Sequence, residues 1–344
     1  MRGCLRLRRV EEVLVELIKA YTPTGEEERG QKVLVEICKE LGLDVQVDGA
    51  GNVIARKGGG GRVWLVGHYD TVPGELPISL NDYVAGRGAV DAKGPLAAML
   101  VAASTSDVPV TVAALVGEEG DSRGARNLDI SADYVIIGEP SNVNGVIIAY
   151  RGGAHLRLTC RGRGGHSSSP GDSALDKLLK AITAFKLLAP GKSYEDPSAA
   201  VTVIRAGHSF NVLPTLAEAE VDLRVPPGLK VDEVISRMRD SLEDGCSLEV
   251  RWSVPPVRVS PSDPVPRALI RSILKAGMRP RLLKKYGGSD MNILHEKVKS
   301  IAAYGPGDGR LAHTNEERVS VEDLRKAVLV YREAVRELAR KPTP

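Results

Sequence analysis

Acidic and imidazole side chains follow three short apolar runs in this 344-residue sequence. The runs cover residues 63–66, 110–116 and 134–137, and each is typical of a buried strand. A solvated turn would explain each motif taken alone, but histidine and carboxylate together are the ligands that zinc-like ions prefer. The combination predicts a metal site at the strand ends. The side chains concerned are His68, Asp70, Glu118, Glu119 and Glu139.

Asp91 lies between a glycine-rich turn and the apolar start of a helix, where Pro95 suits the first helical position. Such an aspartate either caps the helix or binds a ligand, and the local sequence leaves both readings open. His313 occupies a loop before the last helix. If Asp91, Glu119 and Glu139 bound two divalent ions, their three negative charges would leave one positive charge for a hydroxide to cancel.

Alternating helical and strand patterns predict an α/β domain in the first part of the chain. Apolar spacing predicts two helices before residue 42, and Thr24 with Glu27 predicts a capping box for the second. The apolar runs, with a helix over residues 96–103, predict a mostly parallel sheet flanked by helices. The candidate ligands then lie at strand ends, where open α/β sheets gather their ligands.

A change of pattern after residue 151 predicts a second domain. Polar and apolar side chains alternate over residues 154–160, which is typical of a strand with one solvated face. The element order that follows, β-α-β-β-α-β, predicts a ferredoxin-like unit. We therefore predict a large α/β domain, residues 1–151 and 264–344, with a smaller α+β domain inserted at residues 152–263. Ser320 is predicted to cap the final helix.

Composition restricts the classes of function. A net charge of +3 is too small to indicate a nucleic-acid or membrane partner. No apolar run approaches the ~20 residues of a membrane span, and the basic N-terminus lacks the apolar segment of a signal peptide. Widely spaced cysteines favour reduced thiols and a cytoplasmic location over a disulfide framework. They are Cys4, Cys38, Cys160 and Cys246.

Seven motifs, in order, resemble those of the acetylornithine deacetylase and succinyl-diaminopimelate desuccinylase family. The resemblance covers nearly the whole chain. It implies a dinuclear zinc or cobalt amidohydrolase or exopeptidase, with a zinc-exopeptidase-like catalytic domain and an inserted lid. The motifs are "GHYDTVPG", "GRGAVDAKG", "GEEGDSRGARN", "GEPS", "GRGGHSSSP", "NVLP" and "GPGDGRLAHTNEE".

The resemblance carries the metal ligands of the family over one by one. His68 and Glu139 would hold one metal ion, and Glu119 and His313 would hold the other. Asp91 would lie between the two ions. Zinc is the expected metal, with cobalt as the alternative.

Further roles near the metals also follow from the resemblance. Glu118 would be the general base that takes a proton from the attacking water. Asp70 would support the metal site from behind the ligands. The peptide between Asp91 and Ala92 would be cis, as it is in the family.

The lid residues receive roles in the same way. His166 would reach the site of a partner subunit and stabilise the tetrahedral oxyanion, which implies a homodimer formed through the lid. Asn211 and Arg224 resemble residues that contact substrate. Arg224 suits a substrate carboxylate, although a surface ion pair explains a strand arginine equally well. The remaining histidines, His155, His208 and His295, are predicted to be bystanders.

Within the family, the chain most resembles hydrolases that release lysine or ornithine from the C-terminal glutamate of a small acidic carrier protein. The segment between Asp70 and Gly86 is trimmed, which would admit a protein tail, and Arg157, Arg161 and Arg163 would offer a basic patch. The alternative is a deacetylase or desuccinylase of a small acyl substrate. A binding protein without activity is disfavoured because every ligand type is present.

Overall fold

The computed structural model describes residues 8–340 of the chain. Its helices are α1 (Val10–Lys19), α2 (Glu28–Glu40), α3 (Lys93–Ser104), α4 (Arg123–Asn127), α5 (Ala174–Leu188), α6 (Val231–Asp240), α7 (Pro264–Lys275), α8 (Met291–Leu294) and α9 (Val321–Ala339), with a 3-10 turn at His295–Lys297. Among these helices, none has the length and apolar character that crossing a bilayer requires.

The strands are numbered in chain order. They are β1 (Asp44–Val47), β2 (Val53–Lys57), β3 (Val63–His68), β4 (Ser79–Leu80), β5 (Tyr83–Ala85), β6 (Val110–Leu115), β7 (Tyr134–Gly138), β8 (Gly145–Tyr150), β9 (Gly152–Arg161), β10 (Gly165–His166), β11 (Ser198–Ala206), β12 (Val212–Leu213), β13 (Leu216–Val225), β14 (Cys246–Val254), β15 (Val257–Arg258), β16 (Arg281–Lys285), β17 (Ser300–Tyr304) and β18 (Arg318–Ser320).

One compact unit, residues 8–148, 259–284 and 293–340, is built on a large mixed sheet. Its strands run in the order β1-β2-β6-β3-β7-β17-β8, and the central pairs β6–β3, β3–β7 and β7–β17 are parallel. Every residue of β3, β6 and β17 is buried, as expected for strands covered on both faces. The predicted α/β class, with a mostly parallel sheet flanked by helices, is confirmed.

The parallel strands bring candidate ligands to one edge of this sheet. His68 is the last residue of β3 and is paired with Leu115, the last residue of β6. Glu118 follows the end of β6, and Glu139 follows the end of β7. Because these strands are parallel, their carboxyl ends share an edge, and the side chains that follow them lie on the same side of the domain.

Helix α3 follows Asp91 and is almost entirely buried. It begins at Lys93 with Ala92 at its N-cap and no side-chain cap, so Asp91 does not cap the helix. Pro95 is the third helical residue rather than the first, because the helix starts earlier than predicted. The ammonium group of Lys93 donates to a carbonyl of α1 at 2.9 Å, and burial lowers its pKa to about 7.

The two predicted helix caps have different outcomes. The prediction of a capping box for α2 is wrong, because the helix begins one residue after Glu27. The carboxylate of Glu27 instead accepts a hydrogen bond from Arg123 at 2.5 Å. Thr24 is also engaged elsewhere, since its hydroxyl donates to the carboxylate of Asp70 at 2.7 Å. Ser320, by contrast, caps α9 as predicted.

The other compact unit, residues 149–258 and 285–292, has the predicted ferredoxin-like arrangement. Its elements follow the order β9-α5-β11-β13-α6-β14, and the antiparallel sheet has the order β11-β13-β9-β14. Residues 285–292 group with this unit, whereas the sequence analysis assigns them to the catalytic domain. The Asn292 amide holds them there by donating to the carbonyls of Arg151 and Pro255 at 3.1 and 2.8 Å.

Cys160 and Cys246 form a disulfide, and the prediction of reduced thiols is wrong for this pair. The two residues are opposite each other in the antiparallel pair β9–β14, with Cα atoms 4.1 Å apart. A separation of 86 positions hides this pairing from local sequence patterns. Cys38 is a free thiol whose pKa is raised to about 12 by burial. Cys4 lies outside the described residues.

Replacing Cys160 and Cys246 with alanine is expected to lower the free energy of unfolding by about 4 kcal/mol, because a long closed loop restricts the unfolded chain. Denaturant unfolding without reductant measures the effect. Dithiothreitol should bring the wild type close to the double variant and leave the variant unchanged. Equal stability of the two proteins without reductant would contradict the prediction.

Candidate metal centre

Asp91 lies between two histidines. One carboxylate oxygen, Oδ1, is 3.3 Å from Nε2 of His68, and the other, Oδ2, is 3.4 Å from Nε2 of His313. The peptide that joins Asp91 to Ala92 is cis, which confirms that expectation. The two oxygens of one carboxylate thus face two different imidazoles, which is the arrangement expected of a bridging ligand.

Two glutamates complete what we call the five-residue cluster, made of His68, Asp91, Glu118, Glu119 and His313. Oε1 of Glu119 is 2.8 Å from Nε2 of His313, and Oε2 of Glu118 is 3.9 Å from Nε2 of His68. His68, Glu118 and Glu119 offer ligand atoms within 4.8 Å of one another, and so do Asp91, Glu119 and His313. The two groups therefore meet at Glu119.

The donor atoms of the cluster fit divalent cations. Nε2 of His68 is buried and has no hydrogen-bond partner among the described residues, although carboxylates surround it. A buried polar atom without a hydrogen-bond partner destabilises the folded state by about 1–3 kcal/mol. A ligand bound to Nε2 would remove this cost, and the side chains themselves do not supply one. Imidazole nitrogens with carboxylate oxygens form a donor set typical of zinc.

Several carboxylates lie in a small volume of this site, and their negative charges favour positive charge close to them. Hydrogen bonds to Asp91 and Glu119 raise the pKa of His313 to about 10. Burial opposes the charging of His68, but the negative charges of the nearby Asp70, Asp91 and Glu118 carboxylates outweigh it and raise its pKa well above the usual value. Burial would also raise the pKa of Asp91, yet its contacts with the two imidazoles lower it. Divalent cations would supply that positive charge.

Asp70 positions the cluster from behind. Its carboxylate accepts the backbone N–H groups of Glu118 and Glu119 at 3.1 and 3.2 Å, and also the Thr24 hydroxyl. Its backbone carbonyl, rather than its carboxylate, lies 3.0 Å from Nδ1 of His68. This contact orients the ring so that Nε2 faces the cluster, as carbonyl and carboxylate partners of metal-binding histidines do.

Glu317 is a buried residue near the cluster that the sequence analysis missed. Its Oε1 accepts the backbone N–H groups of Val90 and Asp91 at 3.1 Å each, and its Oε2 accepts from Arg87 at 2.9 Å. Arg87 also donates to a carbonyl in the loop that carries His313. The Arg87–Glu317 pair therefore ties the backbone of the Asp91 turn to the His313 loop.

Glu139 follows β7 and is mostly buried. Its backbone N–H donates to the carbonyl of Tyr304 at 3.2 Å. It belongs to neither of the two groups of close ligand atoms. Its assignment as a ligand beside His68 stays a prediction, which its place at the same sheet edge makes feasible.

The second unit brings His166 and Asn211 together. Strand β10 pairs with β12, and the backbone N–H of Ser167 donates to the carbonyl of Asn211 at 3.1 Å. Nδ1 of His166 accepts the backbone N–H of Ser168 at 3.2 Å, so the neutral ring carries its proton on Nε2. His166 is exposed and therefore has a donor available for a ligand.

Arg224 lies elsewhere in this unit. It is eight residues beyond the first residue of β13, which corresponds to about 27 Å along the strand, whereas β10 follows the opposite end of the sheet. Its Nε is 2.9 Å from Oδ1 of Asp222. The ion pair that the sequence analysis left open is thus present, and within this unit Arg224 does not approach His166 or Asn211.

If His166 donates to the oxyanion, as the family resemblance implies, His166→Ala is expected to lower kcat by about 10²–10³-fold, the usual cost of losing one such donor. Metal content should not change, because His166 is not part of the five-residue cluster. Steady-state kinetics and metal analysis of the purified variant test both points. His208→Ala, which alters another exposed histidine of the same unit, should behave as the wild type. Normal turnover of His166→Ala would exclude this role.

Comparison with known proteins agrees with the geometry. The model of peptidase family M20/M25/M40 matches residues 64–337. A relative from Aeropyrum pernix is 43% identical over 330 residues, which cover 92% of each chain. The LysW-lysine/LysW-ornithine hydrolase of Sulfurisphaera tokodaii is 37% identical over 344 residues and 98% of each chain. A tripeptidase from Staphylococcus aureus shares the fold, with a TM-score of 0.86 at 23% identity over 98% of this chain and 100% of that one.

Proposed function

The chain belongs to peptidase family M20/M25/M40 and is a metal-dependent hydrolase, and from this premise we propose that it releases lysine or ornithine from a carrier protein. The observation that carries the hydrolytic part is the five-residue cluster, in which separate strand ends and loops bring their ligand atoms together. The choice of substrate is supported by the nearly full-length similarity to the Sulfurisphaera tokodaii enzyme, which is named for that reaction.

We assign two divalent cations to this centre, with zinc preferred and cobalt as the alternative. His68 and Glu139 would hold one ion and Glu119 and His313 the other, with Asp91 shared between them. When bound, such ions polarise a carbonyl group and acidify water.

The residues of the chain then divide the work of amide hydrolysis. The carboxylate of Glu118 accepts a proton from the attacking water and passes it to the leaving amine, as a general base and then a general acid. Its backbone is held by Asp70, which keeps the base in place. The Nε2–H of His166 donates to the oxyanion, and Asn211 beside it contacts the substrate. We propose that these two residues come from the partner subunit of a homodimer formed through the lid.

The proposed substrate is an isopeptide between the C-terminal glutamate of an acidic carrier protein and the α-amino group of lysine or ornithine. The short segment between Asp70 and Gly86 would leave room for a protein tail. Arg224 is the weakest substrate contact of the proposal, because Asp222 already pairs with it. We place the reaction in amino-acid biosynthesis in the cytoplasm, although the Cys160–Cys246 disulfide removes the thiol argument for that location.

Purified protein assayed with the carrier–lysine conjugate, acetylornithine and succinyl-diaminopimelate tests the proposal. We expect kcat/KM to be about 100-fold or more higher for the conjugate, because binding groups on the carrier contribute only to that reaction. The Glu118→Gln variant serves as the control for contaminating activity. Preference for either small acyl substrate would overturn the carrier assignment.

A further inference from the structure

One segment of the chain is strongly basic, although the whole protein is nearly neutral. Residues 264–289 contain seven of the 47 Lys and Arg residues and none of the 44 Asp and Glu residues. The rest of the chain is therefore net negative. Such a concentration of charge creates a local positive potential that favours an acidic partner. The seven residues are Arg267, Arg271, Lys275, Arg279, Arg281, Lys284 and Lys285.

The structure shows which of these charges face other side chains. Arg271 and Lys275 of α7 pair with two glutamates of α9. Arg279 and Arg281 are exposed, and within residues 8–340 neither lies in an ion pair. Lys284 is exposed as well. Exposed arginines without an ion pair among the described residues therefore lie at Arg279 and Arg281, within residues 279–284, which we call the basic strand.

The basic strand presents backbone and apolar surface as well as charge. Within the described chain, β16 pairs with β8 alone. Leu282, between the cations, has 48% of its surface exposed. Extended from residue 279 to 284, the segment spans about 17 Å. That length exceeds what a single amino-acid substrate can contact and suits a protein surface.

Hydrogen bonds connect the basic strand to the edge of the sheet where the metal candidates lie. The backbone N–H of Arg281 donates to the carbonyl of Asn144 at 2.9 Å, and the Asn144 amide donates to the carbonyl of Arg279 at 3.2 Å. Asn144 belongs to the short turn that begins at Glu139. In the same turn Ser141 donates to the carbonyl of Gly305, which follows β17. A partner on the basic strand would therefore lie at the sheet edge that carries the site.

We propose that the basic strand docks an acidic protein and that this protein carries the amide to be cleaved. The inference rests on the proposed carrier-linked substrate. The patch expected on the lid is weaker, because Arg157 donates to Glu220 through both Nε and Nη2. A nucleic acid fits less well, since its phosphates need many cations and the rest of this chain is net negative.

The double variant Arg279→Glu/Arg281→Glu tests the docking surface. At low salt we expect KM for the carrier–lysine conjugate to rise about tenfold or more, with kcat nearly unchanged, because interface charges act mainly on association. The difference should shrink in 0.5 M NaCl as screening increases. The matched control is Arg237→Glu/Arg239→Glu, which makes the same charge change at the same sequence spacing, at two exposed positions of α6, and should leave KM unchanged.

Three results of these measurements would overturn the inference, and a fourth would overturn the proposed function. If the wild type cleaves the conjugate and both double variants show the wild-type KM, the basic strand does not dock the carrier. The same holds if the control raises KM as much as the test variant, or if a 20-base-pair DNA duplex binds the basic strand while KM is unaffected. If the wild type does not cleave the conjugate at all, the proposed function itself has failed.

Discussion

Glu118→Gln is expected to lower kcat by about 10³-fold, within the range for loss of a general base. The amide keeps the size and the backbone contact with Asp70 but cannot accept a proton from water. Metal content should remain at the wild-type level, because the variant retains all of the proposed metal ligands, which are His68, Asp91, Glu119, Glu139 and His313. Steady-state kinetics together with metal analysis of the same sample measure both quantities.

The neighbouring Glu119→Gln variant is the matched comparison for Glu118→Gln. Glu119 belongs to both groups of close ligand atoms, so its loss should reduce metal content as well as activity. If Glu118→Gln retained normal turnover, or lost metal as Glu119→Gln does, the assignment of Glu118 as the base would be wrong.

Glu317→Ala is expected to lower the free energy of unfolding by about 3–5 kcal/mol, since it leaves the buried guanidinium of Arg87 without the carboxylate that balances its charge. Two backbone N–H groups at Val90 and Asp91 also lose their acceptor. Because these groups set the position of the Asp91 carboxylate, metal affinity should fall by about 10–100-fold. Chemical denaturation and titration with Zn²⁺ measure the two effects.

Glu316→Ala provides a control one residue away. Glu316 is exposed, and its substitution should change stability by less than about 0.5 kcal/mol and leave metal affinity unchanged. Equal behaviour of the two variants would show that the Arg87–Glu317 pair does not support the Asp91 turn.

Much of the catalytic unit was predictable because its strands are buried on both faces. Such strands appear in the sequence as uninterrupted apolar runs, and His68 and Glu118 each lie two residues beyond the end of such a run. His313 has no such run before it and was assigned through the resemblance, yet the structure places it 2.8 Å from Glu119.

The features that sequence analysis missed depend on contacts between distant residues. The Cys160–Cys246 disulfide joins strands that only the lid topology brings together. Thr24 has the sequence context of a helix cap, but in the structure it donates to Asp70. Glu317 and Glu316 are neighbours of the same type, and only burial distinguishes them.

The most direct test of the account is the number of divalent metal ions bound per chain in the active enzyme, measured by plasma mass spectrometry after dialysis. The account predicts two ions in the wild type and about one or none in Asp91→Ala, with hydrolysis lost when a chelator removes them. Full hydrolysis by a metal-free protein would contradict the central claim that the five-residue cluster acts through bound cations.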